Sequence, residues 1–162
     1  MVRFSTKGRY GLRAMMELAL HHPGEPVLMS TIAERQEISR KYLHALLTSL
    51  RAAGLVRSVR GAQGGYTLGR PASQIRLREV VEALEGPLAL TDCVFDSTVC
   101  NRAPGCKARK LWSDLSRTLR GHLEAMSLQD LIGDERVGTG QAAGCPASLP
   151  SADLAGHTPA SD

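Results

Sequence analysis

The chain has 162 residues, a formal net charge of +4 at pH 7 and only 4% aromatic residues. A chain of this length can bury a core without disulfides, and its many Leu and Ala residues predict that the core is helical. It has no apolar run long enough to span a bilayer and no N-terminal secretory signal, so we expect a cytoplasmic protein without a membrane partner.

The positive charge is concentrated in the N-terminal half. Residues 1–78 hold 13 Lys and Arg against 4 Glu, whereas residues 79–162 hold 7 Lys and Arg against 12 Asp and Glu. A basic half on an otherwise acidic chain is typical of proteins that bind a polyanion, most often nucleic acid, although a solvated basic surface gives the same pattern.

Three helices are predicted before the first glycine-rich segment. The first, over residues 9–22, has an apolar stripe and ends at a Pro-Gly pair. A short second helix follows, for which Ser30 is the predicted N-cap. Ser39 is the predicted cap of the third helix, which has a leucine stripe and ends at Gly54. The tight connection over residues 37–39 is typical of a helix-turn-helix.

The third helix carries a basic face on the side away from its leucine stripe. Basic side chains reach DNA phosphates, and small or hydrogen-bonding side chains allow close approach to base edges in the major groove. An ordinary helical hairpin with a solvated face has the same pattern, so the helices alone leave both interpretations open. The predicted DNA-facing residues of this helix are Arg40, Lys41, His44, Ala45, Thr48 and Arg51.

A basic hairpin is predicted directly after this helix. The segment LVRSVRGAQGGYTLGR alternates like a strand on both sides of GAQGG, and its glycines allow a tight reversal. A hairpin in this place is the wing of a winged helix-turn-helix, and the loop lacks the spacing and the Lys of a phosphate-binding P-loop. Arg57, Arg60 and Arg70 lie where a wing meets the DNA backbone or minor groove. Gly64 and Gly65 of this hairpin also belong to the predicted DNA-binding set.

The predicted fold class is mainly α with a small β-hairpin wing, in which a winged helix-turn-helix domain precedes a long dimerisation helix. Residues 1–87 form the predicted DNA-binding domain, and residues 88–106 form a cysteine loop. The long helix falls within residues 107–132, and its leucine stripe is wide enough to pack on a second copy of the chain; packing on its own winged domain is the alternative. The composition of residues 133–162 predicts a disordered tail, which contains Cys145.

Three of the four cysteines lie close together. Cys93, Cys100 and Cys106 fall within fourteen residues that have little apolar content, and metal–thiolate bonds are one way to order such a segment. The spacing leaves three interpretations open. An iron–sulfur cluster suits thiolates from a longer loop, a structural zinc site favours shorter gaps, and redox-active thiols need no metal.

An enzyme is not expected. The chain has no Cys-x-x-Cys pair, no paired carboxylates in a glycine-framed site and no Cys–His spacing with a catalytic precedent.

The motifs together resemble the IscR/NsrR/RirA type of bacterial winged-helix regulator. The resemblance covers about residues 1–132 and is carried by STKGRYGLRAM, ISRKYLHAL, VRGAQGGYTLGR, the cysteine triplet and KLWSDLSRTLRG. It implies a homodimer that binds palindromic promoter sites in double-stranded DNA and senses cluster supply, iron, nitric oxide or redox state. It also implies an iron–sulfur cluster, [2Fe-2S] or [4Fe-4S], held by Cys93, Cys100 and Cys106. The positions that match DNA-facing ones in such regulators are Ser39, Tyr42, His44, Ala45 and Arg60.

Three positions depart from the pattern of these regulators. Arg109 stands where the [2Fe-2S] branch has a His as fourth ligand, and Arg9 stands where the nitric-oxide-sensing branch can use an Asp. Arginine cannot ligate iron, so the fourth ligand is open. His44 stands where a Glu helps the closest branch to choose between two promoter classes, so that choice is not carried over.

Overall fold

The computed structural model describes residues 5–21, 24–61 and 64–133. The predicted tail beyond these residues, with Cys145, and the tip of the predicted wing lie outside them. The helices are α1 (Thr6–Leu20), α2 (Met29–Arg35), α3 (Arg40–Ala52), α4 (Leu77–Glu85), α5 (Asp92–Phe95), α6 (Lys107–Ala125) and α7 (Leu128–Ile132), and the strands are β1 (Val56–Val59) and β2 (Gly65–Leu68). This mainly helical chain with one hairpin confirms the predicted fold class. In the described ranges, no helix combines the length and apolarity that crossing a bilayer requires.

α2 and α3 form the predicted helix-turn-helix, and α1 packs against α3. α3 also packs against α2. Ser39 caps α3 as predicted, because its side-chain oxygen accepts a hydrogen bond of 3.2 Å from the Tyr42 N–H. The turn between α2 and α3 passes through Glu37, whose φ of +54° lets the chain reverse sharply.

The predicted cap of the second helix is wrong. α2 begins at Met29, one residue before Ser30, and Leu28 occupies the N-cap position without a side-chain hydrogen bond. The start is set by Val27, which pairs with Tyr66 of β2 through two backbone hydrogen bonds of 2.9 Å. A pairing between residues far apart in the chain therefore fixes the start of α2, and a local capping pattern does not reveal it.

β1 and β2 form the predicted wing. The strands are antiparallel, with Val56 opposite Leu68 and Val59 opposite Gly65. Val56 is buried, whereas the rest of β1 is exposed. The hairpin is therefore anchored in the core at its base, and the part of β1 beyond that base is open to solvent.

One apolar core joins the two ends of the described chain. Met15 of α1, Leu47 of α3 and Ile75 are fully buried in it. α7 belongs to the same core, because Leu128 is fully buried and its N–H donates a hydrogen bond of 2.8 Å to the Ile75 carbonyl. Ser127 caps α7, because its side-chain oxygen accepts a hydrogen bond from the Asp130 N–H. After α6, the chain therefore returns to the winged unit.

Two glycines allow α1 to pack closely on α4. A Cβ atom at Gly8 would overlap the Glu85 carboxylate, and one at Gly11 would overlap the Leu84 side chain. The Glu85 Oε1 atom accepts hydrogen bonds of 2.9 Å from the N–H groups of Ser5 and Gly8. A carboxylate thus satisfies free donors at the N-terminus of α1 and fixes α4 against it.

Gly69→Ala tests the close packing between the end of β2 and the end of α3. A Cβ atom at Gly69 would overlap the backbone oxygen of Gly54, and the Gly69 N–H is bonded to the Leu55 carbonyl at 2.8 Å. Because a backbone atom cannot rotate aside, we expect Gly69→Ala to lower the free energy of unfolding by about 2 kcal/mol.

Gly121→Ala is the matched control for this substitution. A Cβ atom at Gly121 meets nothing within 4 Å, and Ala in place of Gly within a helix raises stability by up to about 1 kcal/mol. Urea unfolding measures both variants. Equal stabilities of Gly69→Ala and Gly121→Ala would contradict the close backbone contact.

Candidate nucleic-acid interface and cysteine segment

The outer face of α3 is open to solvent. Leu43, Leu47 and Leu50 are fully buried, which turns the opposite side of the helix outward. The predicted DNA-facing residues that the structure exposes here are Ser39, Arg40, Lys41, His44, Ala45, Thr48 and Arg51. Within the described part of the chain, no carboxylate forms an ion pair with the cations of this set. Their charges are therefore available to a polyanion.

Tyr42 is half-buried behind this face. Its ring packs edge-on against the ring of Tyr10 in α1, with 6.2 Å between centroids and an interplanar angle of 87°. The guanidinium of Arg13 lies over the Tyr10 ring, 5.5 Å from its centroid. Tyr42 therefore holds α3 against α1, a role that the sequence did not indicate, and its contact with DNA stays a prediction.

The wing adds two exposed cations, Arg57 and Arg60. The two predicted glycines lie at its turn. A Cβ atom at Gly64 would overlap a backbone oxygen of β1, and one at Gly65 would overlap the carbonyl of Val27. Close approach of the backbone therefore explains why both positions are glycine. Their contact with DNA stays a prediction.

The third arginine of the wing is used within the fold. Arg70 forms an ion pair with Glu79 of α4, and its Nε donates a hydrogen bond of 3.1 Å to the Gln74 carbonyl. Burial raises the pKa of Glu79, but hydrogen bonds from Arg70 and from the Arg76 N–H outweigh it and hold the pKa below its usual value. Arg70 therefore attaches the wing to α4 rather than standing free beside Arg57.

A buried carboxylate supports the helix-turn-helix from behind. Glu17 of α1 is buried and forms an ion pair with Arg35 of α2, and the Nδ1 atom of His21 lies 2.7 Å from the Glu17 carbonyl. The apolar periodicity predicts that Arg35 faces water; Arg35 is exposed, and its guanidinium also pairs with this carboxylate. The sequence signal for this ion pair was Glu17 itself, because an acidic residue on the buried side of a helix needs a charged or hydrogen-bonding partner.

The three predicted ligands lie on the cysteine segment, which we define as residues 88–106. Cys93 lies in α5, Cys100 follows a short 3-10 turn and Cys106 is the N-cap of α6. All are half-buried free thiols. The Cys93 Sγ atom lies 3.4 Å from the Thr91 hydroxyl. The thiols are therefore partly accessible and are not paired with one another.

Hydrogen bonds to α6 order the cysteine segment. The Nε of Arg109 donates to the Cys93 carbonyl at 2.7 Å, and the Leu90 N–H donates to the hydroxyl of Ser116 at 3.1 Å. Ser116 is only 4% exposed. The composition of the segment suggests metal–thiolate bonds as a source of order, and these two hydrogen bonds are a further source. The sequence did not reveal them, because both partners on α6 belong to a different element.

The donor types of the segment fit iron–sulfur chemistry, although the described residues hold no preformed site for a single ion. In the described ranges, no three His, Cys, Asp or Glu side chains are arranged to hold a metal. Hydrogen bonds from the Thr98 hydroxyl and N–H lower the pKa of Asp96, which caps the turn that follows it. Three partly accessible thiols are the ligand type of iron–sulfur clusters and other soft metal centres. The fit between this segment and an iron–sulfur cluster therefore rests on the thiols of Cys93, Cys100 and Cys106.

An ion-pair network joins α6 to the winged unit. Arg78 of α4 pairs with Glu82 at 2.6 Å and with Glu124 of α6 at 2.5 Å, and Arg120 of α6 pairs with Glu82 at 3.3 Å. The hydrogen bond to Glu124 is the main cause that raises the pKa of Arg78. α4 also contacts α1 and α3. The helix that follows the cysteine segment is thus tied to the helix that carries the basic face.

The predicted leucine stripe of α6 divides into two parts. At the end of the helix, Leu123 and the C-cap residue Met126 pack on the chain's own core. In the first half of the helix, three large apolar side chains on one side stay uncovered; we call this set the exposed apolar face. Its members and their exposed fractions are Leu111 53%, Trp112 38% and Leu115 43%.

Comparison with known proteins places these features among bacterial regulators. The family model Rrf2, described as an iron-dependent transcriptional regulator, matches residues 4–134. The chain is 41% identical over 136 residues to the HTH-type transcriptional regulator IscR of Photorhabdus laumondii, and the match covers 84% of this chain and 82% of that protein.

Solved structures of regulators share the fold. The structure of CymR (YrzC), the global cysteine regulator of B. subtilis, matches with a TM-score of 0.68 and 38% identity over 82% of this chain and 97% of that chain. The structure of T. potens IscR matches with a TM-score of 0.67 and 34% identity over 86% of this chain and 94% of that chain. These relatives confirm the resemblance that the motifs indicate, and they are transcriptional regulators rather than enzymes.

Proposed function

We propose that this chain, which belongs to the Rrf2 family of transcriptional regulators, is a cytoplasmic homodimer that binds palindromic promoter DNA and senses iron–sulfur cluster status, iron, nitric oxide or redox state. The observation that carries the proposal is the exposed basic face of α3 beside the wing, in a chain whose three half-buried free thiols lie on a segment bonded to α6.

The DNA contacts divide into two classes. Arg57 and Arg60 of the wing, with the cations of α3, neutralise phosphates and set the position of the protein on the duplex. His44, Ala45 and Thr48, on the same exposed face of α3, lie on the side that would meet base edges in the major groove. Two such helices, related by a two-fold axis, read half-sites one helical turn or a multiple apart.

The exposed apolar face supports homodimerisation. Uncovered large apolar side chains clustered on one part of a soluble chain are typical of a protein–protein contact. A second copy of the same face is the expected cover, because most oligomers of identical chains are closed dimers with a self-complementary interface. Each protomer then contributes one α3 to the DNA.

Leu115→Glu tests both the dimer and its need for DNA binding. Leu115 is 43% exposed in one chain, so the substitution costs the protomer little but buries a charge in the proposed interface. We expect a monomer in sedimentation, and we expect binding to palindromic sites, selected from a random duplex pool, to weaken by about 100-fold or more.

Leu20→Glu is the control for this substitution, since Leu20 is 51% exposed at the end of α1 and lies outside the exposed apolar face. It should remain a dimer with unchanged binding. Dimeric Leu115→Glu with unchanged affinity would refute the proposed interface.

Cys93, Cys100 and Cys106 are the residues that would hold the cluster, [2Fe-2S] or [4Fe-4S]. When bound, such a cluster supplies sensitivity to iron supply, oxidants and nitric oxide. The chain itself contributes a connection between the thiols and the winged unit. The segment that carries the thiols is bonded to α6, and the Arg78 and Arg120 ion pairs bond α6 to α4. Each of two arrangements of the segment would therefore favour a different spacing between the two winged units of the dimer. In this form of allostery, the state of the thiol site changes which arrangement is more stable.

A regulator that uses zinc or redox thiols without a cluster is the second candidate. The free thiols and the similarity to the global cysteine regulator favour it. Iron, sulfide and zinc assays on one anaerobically purified sample separate the candidates. Matched iron and sulfide support the cluster, whereas stoichiometric zinc, or no metal after reconstitution, supports the second candidate.

A further inference from the structure

Arg109 contacts the first and the third cysteine of the segment at once. Its backbone N–H donates a hydrogen bond of 3.4 Å to the Cys106 Sγ, and its side-chain Nε donates one of 2.7 Å to the Cys93 carbonyl. The first contact belongs to the cap of α6 and needs no particular side chain. The second contact exists only because residue 109 carries a guanidinium.

A second residue of α6 holds the same stretch of chain. Ser116 lies seven positions after Arg109, about two helical turns, and therefore on the same face of α6. Its hydroxyl accepts a hydrogen bond from the Leu90 N–H and donates one of 2.8 Å to the Trp112 carbonyl. Residues 90–93 are thus held along α6 at two points, and neither point uses a thiol.

The guanidinium is suited to hold a backbone carbonyl. It stays charged at any physiological pH, its donors have a fixed planar geometry, and a hydrogen bond from a charged donor is stronger than one between neutral groups. Within the described residues, no acidic side chain forms an ion pair with Arg109. Its charge is therefore not already committed to a carboxylate.

We propose that Arg109 is a positioning residue of the cysteine segment: its side chain fixes the backbone at Cys93 against α6, so that Cys93 keeps its place relative to Cys106 without bound metal. This inference rests on the proposed function, which takes these three thiols to be the sensor site. It assigns Arg109 a role of its own at a position where it cannot serve as a ligand. A segment already held at Cys93 has less conformational freedom to lose when a group binds its thiols.

Site-resolved alkylation of the metal-free, reduced protein tests the proposal. In Arg109→Gln, we expect iodoacetamide to alkylate Cys93 about tenfold faster than in the wild-type protein, because one charge-assisted hydrogen bond no longer holds the segment. Cys106 should change less than twofold, since the backbone N–H that contacts it remains. Mass spectrometry of peptides separates the cysteines.

Arg117→Gln is the matched control. Arg117 lies two turns further along α6, and its guanidinium pairs with Asp114 of the same helix at 2.8 Å. All three alkylation rates should stay within twofold of wild type. An unchanged Cys93 rate in Arg109→Gln, or an equal rise at all three cysteines, would overturn the positioning role, because the first shows no hold on Cys93 and the second shows general loosening.

A second variant covers the case in which Arg109→Gln does not fold. Arg109→Lys keeps the charge but not the planar guanidinium, and hydrogen–deuterium exchange of residues 88–96 should be faster in it than in Arg117→Lys. Equal exchange in the two Lys variants would count against the proposal.

The alkylation test is independent of the cofactor. It uses protein without metal, so it stands even where the wild-type chain binds no iron. In that case the cluster part of the proposed function fails and the role of Arg109 survives. If the wild-type chain binds a cluster, we further expect Arg109→Gln to lose iron to a chelator several-fold faster than Arg117→Gln.

Discussion

Replacing Cys93, Cys100 and Cys106 together by Ser is expected to remove essentially all bound iron and sulfide, with loss of the broad visible absorption of a cluster. Thiolates are the ligands that hold such clusters, and a serine hydroxyl is a far weaker ligand for soft iron. The substitution should leave the fold intact, because none of these thiols is fully buried, the Arg109 side chain bonds the Cys93 backbone, and a serine hydroxyl can cap α6 at position 106. Iron and sulfide assays after anaerobic reconstitution measure the effect.

Cys145→Ser is the matched control, since Cys145 is the chain's other cysteine and was not predicted to be a ligand. Its iron and sulfide content should equal that of the wild-type protein. Retention of the wild-type cluster by the triple variant would show that the cysteine segment is not the site. Loss of the cluster in Cys145→Ser would instead add that residue to the ligand set.

Raising the salt concentration from 50 to 200 mM is expected to weaken DNA binding by the dimer on the order of 10³- to 10⁵-fold, the loss typical of about six to ten phosphate contacts. Each protomer exposes Arg40, Lys41 and Arg51 on α3 and Arg57 and Arg60 on the wing, and the described carboxylates leave these five cations unpaired. Fluorescence anisotropy across a salt series measures the slope.

Lys41→Ala identifies which cations produce this slope. In a dimer, the variant loses two phosphate contacts, so the slope of log affinity against log salt should fall by about 2. Lys107→Ala is the control, because Lys107 is exposed at the start of α6, away from α3 and the wing. A flat salt response of the wild-type protein, or an equal change in both variants, would contradict the basic face of α3 as the DNA contact.

Local patterns predicted the helices and the wing because their causes are local. The leucine stripe of α3 became its buried side, and Ser39 became its cap, since periodicity and capping depend on neighbouring residues. The start of α2 depends instead on the pairing of Val27 with Tyr66, two residues that no local pattern connects. The prediction of Ser30 as a cap failed for that reason.

The candidate sites show the same limit. The spacing of the cysteines predicted a ligand segment, but it did not reveal the hydrogen bonds that join this segment to α6. Arg109 and Ser116 form these bonds from another element. From the sequence alone, Arg109 was notable only because it stands where a ligand is absent. Likewise, the charge of Arg70 predicted a DNA contact, whereas its ion pair with Glu79 depends on how the wing packs against α4.

The most direct test compares the DNA affinity of the same preparation with and without its cluster. It shows whether the cluster controls DNA binding. The protein is reconstituted anaerobically, half is stripped with a chelator, and both halves are titrated against duplexes selected from a random pool by each form. We predict that the two forms differ by at least about tenfold in affinity for some of these sites, a coupling of the usual allosteric size. The difference should vanish in the variant with Ser at all three cysteines. Equal affinities of both forms for every selected site would contradict a cluster-sensing regulator.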